Sequence, residues 1–165
     1  MRRSNNLAIV SATRAETRRL VQIIRAGFAD VAVRFDLTAG NCPKHPSNCT
    51  WEWIERDLAR GVQYVILTAD GADVGCVGVE RASETACYME RLAVLPAHRG
   101  KGHGTRLARH AIQQAKQLGV STMEIGIIAA DTGLQRFYES LGFEFGETKT
   151  FAHLPFEVAF MQLAV

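Results

Sequence analysis

Ala93-Val94-Leu95-Pro96-Ala97-His98-Arg99-Gly100-Lys101-Gly102-His103-Gly104-Thr105 sets three glycines at every second position between an apolar strand and a helix. Without Cβ atoms, Gly100, Gly102 and Gly104 let backbone N–H groups approach a ligand closely, at the positive end of the helix dipole. That arrangement is a phosphate cradle. Arg99, Lys101, His103, Arg106 and Arg109 add cationic or potentially cationic groups nearby, which suits a polyanionic ligand. The spacing is not the dinucleotide Gly-x-Gly-x-x-Gly, because position 105 is Thr, and it contains no triphosphate-binding Gly-x-x-x-x-Gly-Lys-Ser/Thr. Spacing alone also fits a strand-to-helix turn without a ligand.

Outward from this loop the hydrophobic pattern gives the rest of the chain. Upstream, 64–69, 74–81 and 86–95 read as three strands of an antiparallel meander, the first two joined at Asp70-Gly71-Ala72-Asp73. Downstream come a helix over about 104–118, a strand over 122–129, a helix over 132–141 and two strands over 143–147 and 156–163. Before the meander, a strand over 7–11 precedes Thr13-Arg14-Ala15-Glu16, which has capping-box spacing for a helix to about Phe28. Trp51, Ile54 and Leu58 then recur at helical spacing after a loop from 41 to 50. The order β-α-α-β-β-β-α-β-α-β-β predicts an α/β (α+β) domain whose mixed, mostly antiparallel sheet is flanked by helices.

The chain has 165 residues, 47% of them hydrophobic, enough for one sizeable core. Its formal charge of +2 gives no global case for nucleic acid or an anionic membrane, so neither is expected as a partner. The start Met-Arg-Arg-Ser-Asn-Asn is basic like a leader, but no apolar stretch of about 7 to 15 residues follows it. Four cysteines suggest reduced thiols and a cytoplasmic setting rather than a disulfide scaffold.

Arg99-x-x-Gly102-x-Gly104, led by Leu92-Ala93-Val94-Leu95-Pro96, resembles the Arg/Gln-x-x-Gly-x-Gly/Ala signature of the GNAT superfamily of N-acetyltransferases. A second segment, Asp131-Thr132-Gly133-Leu134-Gln135-Arg136-Phe137-Tyr138-Glu139-Ser140-Leu141-Gly142-Phe143, is similar to that family's Asn-x-x-Ala-x-x-Phe-Tyr-x-x-x-Gly-Phe element. The resemblance covers nearly the whole chain and implies one GNAT domain over 1–165. It implies acetyl-CoA as cosubstrate, with no metal. The loop Arg99, Gly100, Lys101, Gly102, His103, Gly104 and Thr105 would take the pyrophosphate, and Leu92, Ala93 and Val94 would pair with the pantetheine arm. Asp131 stands where the family has Asn, adding a negative charge beside the cofactor, and Gly133-Leu134 replaces the usual x-Ala.

By the same resemblance Tyr138 lies at the coenzyme sulfur as general acid or hydrogen-bond donor. On its helix stripe of Leu134, Phe137 and Leu141 it reads equally as a core residue. A phenol of pKa about 10 can stabilise a thiolate whose conjugate acid lies near about 8.5. The attacking amine also needs a base or water relay. Glu90 is the candidate, placed on the strand to the loop and expected to share a face with Leu92 and Val94. A glutamate salt-bridged to Arg91 or Arg81 is the alternative. His45 and His153 are further candidates in loops.

The resemblance implies direct attack of the amine on the thioester through a tetrahedral intermediate, its oxyanion held by a backbone N–H of the central strand. No cysteine nucleophile is then needed. Cys76 and Cys87 read as core, and Cys42-x-x-His45-x-x-x-Cys49 offers three ligands without a fourth. The leading expectation is an acetyltransferase acting on a primary amine of a small molecule or polypeptide, with a homodimer conceivable. The alternative is a GNAT-like acyl-CoA-binding sensor without turnover.

Overall fold

The computed structural model describes residues 6–165; residues 1–5, which carry the basic leader-like start, lie outside them. The elements are β1 (Leu7–Ala12), α1 (Thr17–Arg34), α2 (Trp51–Ala59), β2 (Gln63–Ala69), β3 (Ala72–Arg81), β4 (Ala86–Val94), α3 (His103–Leu118), β5 (Thr122–Ile128), α4 (Thr132–Ser140), β6 (Glu144–Thr150) and β7 (Glu157–Ala164). This is the element order the sequence predicts. The strands form one sheet in the order β1-β2-β3-β4-β5-β7-β6. Every neighbouring pair is antiparallel except β4 with β5.

Local chemistry explains the corners. Asp70 and Gly71 both have positive φ, the conformation a two-residue hairpin needs between β2 and β3. The Glu16 carboxylate accepts from both the backbone N–H and the hydroxyl of Thr13, holding the entry to α1 through one short 3₁₀ turn. α1 runs six residues past Phe28, because no breaker intervenes and Val31, Ala32 and Phe35 find a third cluster around Leu37, Cys42 and Ile128. The helix stops before Asp36, which takes the left-handed conformation at φ 52°.

Two apolar layers sandwich the sheet. One face packs Val77, Val79, Met89 and Met123 against Leu107, Ala108 and Ala111 of α3, with Tyr138 of α4 in the same cluster. The other packs Ile66, Cys76 and Ala93 against Leu20, Ile23 and Ile24 of α1 and Ile54 of α2. α1 lies so close to the sheet that a Cβ on Gly27 would fall 2.7 Å from that of Ala93. Trp51, at the first position of α2, stays outside this core. It is exposed, while Ile54 and Asp57 point inward. No helix among the described residues is long and apolar enough to cross a membrane.

Two irregularities position the site. Cys76 faces Ala93 and Gly78 faces Glu90, so Val77 of β3 spans two residues of β4, Arg91 and Leu92. This bulge sets Arg91 at φ 50°. Next to it, the parallel pairing of β4 and β5 covers only Ala86–Tyr88 against Thr122–Glu124. Beyond Tyr88 the strands diverge.

Candidate active site

A cleft of about 600 Å³ fills the gap between the diverging strands. Leu92, Ala93 and Val94 line its β4 side and Ile125 to Ile128 its β5 side. α1, the loop at His45 and Pro46, and Phe156 and Val158 close it from the other direction. On the β5 side, β4 has no strand partner from Met89 to Val94, which leaves an edge open to an extended ligand.

The cleft lining includes Val94 and Arg99, the residues on which the glycine loop begins. Gly102 is the N-cap of α3 at φ 81° and Gly100 has φ 75°, both with open space where a Cβ would stand. Arg106 N–H bonds back to the Gly102 carbonyl. No backbone N–H from Gly100 through Thr105 donates to another described residue. A row of unbonded amides at the start of a 16-residue helix fits a pyrophosphate. Lys101, Arg106 and Arg109 are exposed beside it and join no ion pair among the described residues.

Two of the expected cations serve otherwise. Arg99 turns back toward α1, donating to both oxygens of Asp30 at 2.8 and 3.1 Å and to the Gly27 carbonyl at 2.8 Å. His103 is buried with Nδ1 unpartnered, and burial lowers its pKa, so it adds no charge near neutral pH.

α4 supplies Asp131 and Tyr138. Asp131 caps the helix by accepting the Leu134 N–H at 3.2 Å, while its other oxygen accepts from Arg34 at 2.9 Å. The negative charge introduced by Asp in place of Asn is thus already paired. Tyr138 lines the cleft with its ring wedged edge-on between Phe137 and Phe143. Burial holds its pKa well above that of a free phenol, so the hydroxyl keeps its proton. That hydroxyl has no hydrogen-bond partner among the described residues, yet it is not sealed from solvent. Tyr138 is thus a member of the α3-face core and of the cleft lining at once.

The bulge changes the place of Glu90. Leu92 and Val94 pack with Met89 on the α3 face, whereas Glu90 lies opposite Gly78 on the α1–α2 face, with Ala93. Glu90 therefore does not share a face with Leu92 and Val94, and it does not line the cleft. It belongs to a charged group absent from the sequence reading. Buried Asp57 accepts from the Tyr64 hydroxyl at 2.7 Å, from Arg60 at 2.7 Å and from Arg91. Burial and the neighbouring Glu80 carboxylate push the Glu90 carboxyl up to about 8. An aspartate in an amphipathic helix reads as surface, so only the Ile54/Asp57 spacing could have hinted at this group.

His45 lines the cleft, its ring edge-on to Phe28. Its Nδ1 accepts the Ser47 N–H at 3.3 Å and meets the Ser47 hydroxyl at 2.7 Å, which leaves the proton on Nε2. His153 is exposed against Phe151, away from the cleft lining. All four cysteines are free and buried, and none lines the cleft. No group of His, Cys, Asp or Glu among the described residues has the arrangement of a metal site.

This mixed sheet, open between its parallel strands beside a glycine-capped helix, is shared with acetyltransferases of known structure. The chain superposes on Salmonella typhimurium yncA, an acetyltransferase solved with acetyl-CoA, with a TM-score of 0.72 over 96% of this chain and 94% of that one, at 22% identity. For the ribosomal-protein-S18-alanine N-acetyltransferase of Escherichia coli the TM-score is 0.77 over 97% and 94%, at 16% identity. At such identities the likeness is one of fold. Residues 31–143 match the acetyltransferase (GNAT) family, and the chain belongs to it. An uncharacterised N-acetyltransferase of Schizosaccharomyces pombe is 32% identical over 105 residues, which make up 62% of this chain and 63% of that protein. With the YjgM N-acetyltransferase of Escherichia coli the identity is 33% over 51% of this chain and 52% of the relative. The chain thus spans between about half and just under two thirds of these curated relatives.

Proposed function

We propose that this chain is an N-acetyltransferase that moves the acetyl group of acetyl-CoA to a primary amine of a small molecule or polypeptide. One observation carries the reading: the Tyr138 hydroxyl, protonated and without a protein partner, belongs to the lining of a cleft that reaches Arg99, the residue before the unbonded amides of Gly100 to Thr105. When bound, acetyl-CoA supplies an acetyl group activated as a thioester. The amides of the 99–105 loop hold its pyrophosphate, with Lys101 as a nearby cation and Arg99 keeping the loop against α1. The open edge at Leu92, Ala93 and Val94 bonds its pantetheine arm, and Asp131 fixes the start of α4. Tyr138 donates a proton or hydrogen bond to the departing sulfur.

No cysteine lines the cleft, which favours direct attack by the amine over an acyl-enzyme. The base is Glu90 reached through water: burial and the Glu80 carboxylate raise its carboxyl to about 8, and it stands outside the cleft lining. His45 is less suited, having its proton on the nitrogen left free. Four buried thiols suit a reducing, cytoplasmic setting, and the domain extends over 1–165.

The test is release of free thiol from acetyl-CoA in the presence of a broad panel of amines, with Gly102→Val as control. Amine-dependent release is expected from the natural chain and none from the variant, whose Cβ would enter the cradle at positive φ. Acetyl-CoA binding without release across the panel would favour the sensor.

A further inference from the structure

We infer that the cleft contains a carboxylate subsite formed by Arg91 and His45, so that the acceptor is an amine that itself bears a carboxylate, of the amino-acid class. The inference rests on the acetyl-transfer reading and refines its acceptor.

The argument begins with what the wall can accept. Two carboxylates line the cleft, Asp30 and Asp131. Both oxygens of Asp30 accept from Arg99, while those of Asp131 accept from Leu134 N–H and Arg34. Each carboxylate oxygen on the wall thus already accepts from a protein donor, and each carboxylate charge is matched by an arginine. A second ammonium on the acceptor, as in a diamine, would find no carboxylate that is not already paired with an arginine, and would enter at a desolvation cost.

What the wall offers instead is donors. Arg91 uses Nη1 on Asp57 and on the Tyr64 hydroxyl, the latter at 2.8 Å. Its Nε and Nη2 have no partner among the described residues and are not sealed from solvent. Its side chain is one-fifth exposed (20%), and it lines the cleft. The guanidinium is also held in place: Asp57 anchors it from behind, the Trp53 ring lies 5.8 Å from it, and the β4 bulge sets its backbone. An immobilised guanidinium with free N–H groups is suited to a carboxylate. His45 adds the second observation. It is 93% buried by its 7% residual exposure, and with Nδ1 engaged by Ser47 its Nε2–H is unpartnered yet still reached by solvent. Two side chains with unpartnered N–H groups, Arg91 and His45, thus belong to one cleft whose side-chain carboxylates are both already paired.

The experiment compares α-amino acids with their α-carboxamides as acetyl acceptors, alongside diamines and a lysine peptide, by thiol release. The free carboxylates are expected to exceed their amides in kcat/KM by about tenfold or more, the size of one charge-assisted hydrogen bond. In Arg91→Gln that ratio should collapse. In His45→Phe, which keeps the ring against Phe28, KM should rise for the carboxylates and not for the amides. Equal use of amides, or preference for diamines or the lysine peptide, would overturn the subsite and leave acetyl transfer standing. A readout independent of turnover is the emission of Trp53 in a Trp51→Phe background, titrated with an N-acetylated amino acid and with its amide. A response to the carboxylate alone supports the subsite even if no amine is acetylated, in which case the transfer reading fails by itself. No response to any carboxylate at millimolar concentration would overturn it.

Discussion

Arg99 and Asp30 form a bidentate ion pair between the glycine loop and α1, at 2.8 and 3.1 Å, and Asp30 is held below the usual carboxylate range by it. The arginine of the signature thus ties the glycine loop to α1, with its guanidinium taken up by Asp30 and the Gly27 carbonyl. Both partners are partly exposed, so Arg99→Ala should cost only about 1 kcal/mol of stability or less. CoA affinity, measured calorimetrically, should fall more than that, because the loop loses its tie to Gly27 and Asp30 together. Arg99→Lys should recover little, since a point charge cannot reproduce the fork.

Tyr138→Phe should lower kcat about a hundredfold, in the range of a lost general acid. Its hydroxyl has no partner to orphan, so the melting temperature and the affinity for CoA should hardly move. A variant that loses CoA binding in proportion would assign the hydroxyl to binding.

Glu90 makes stability and rate depend on pH in opposite directions. Its folded pKa of about 8 lies above the ordinary value of 4.5, so between these the native state binds more protons than the unfolded chain. Stability should therefore fall as pH rises from about 4.5 to about 8 and level off above. Glu90→Gln should remove that slope in urea unfolding measured across the range. As the base, Glu90 would make kcat/KM climb through the same upper region, and the glutamine variant should lose that acidic limb.

Much of this was legible in the sequence because it is local. Strand periodicity, the glycine spacing at 100, 102 and 104 and the Phe137-Tyr138 pair each depend on a few neighbouring residues. What escaped depends on backbone irregularity or distant pairing. The bulge at Arg91 turns Glu90 to the opposite face from Leu92, and nothing in Glu90-Arg91-Leu92 departs from ordinary strand alternation. Arg99 with Asp30, Arg34 with Asp131 and Arg91 with Asp57 join residues 69, 97 and 34 positions apart. Each side chain alone reads as surface charge.

Gly78 tests the scaffold behind Arg91. A Cβ there would stand 2.8 Å from the Tyr64 ring, and that ring bears the hydroxyl bonded to Asp57 and Arg91. Gly78→Val should destabilise by about 1–3 kcal/mol as an overpacked site, read from the urea midpoint. It should also raise KM for the acceptor, leaving the affinity for CoA close to that of the natural chain.

The most direct measurement follows an isotopically labelled acetyl group by NMR as the natural chain turns over with acetyl-CoA and an accepted amine. The account predicts that the labelled carbonyl passes from thioester to amide with one CoA released per amide formed, and that Tyr138→Phe slows this passage without weakening CoA binding. Label that stays in the thioester while CoA remains bound at the 99–105 loop, or that appears only as free acetate, would contradict it.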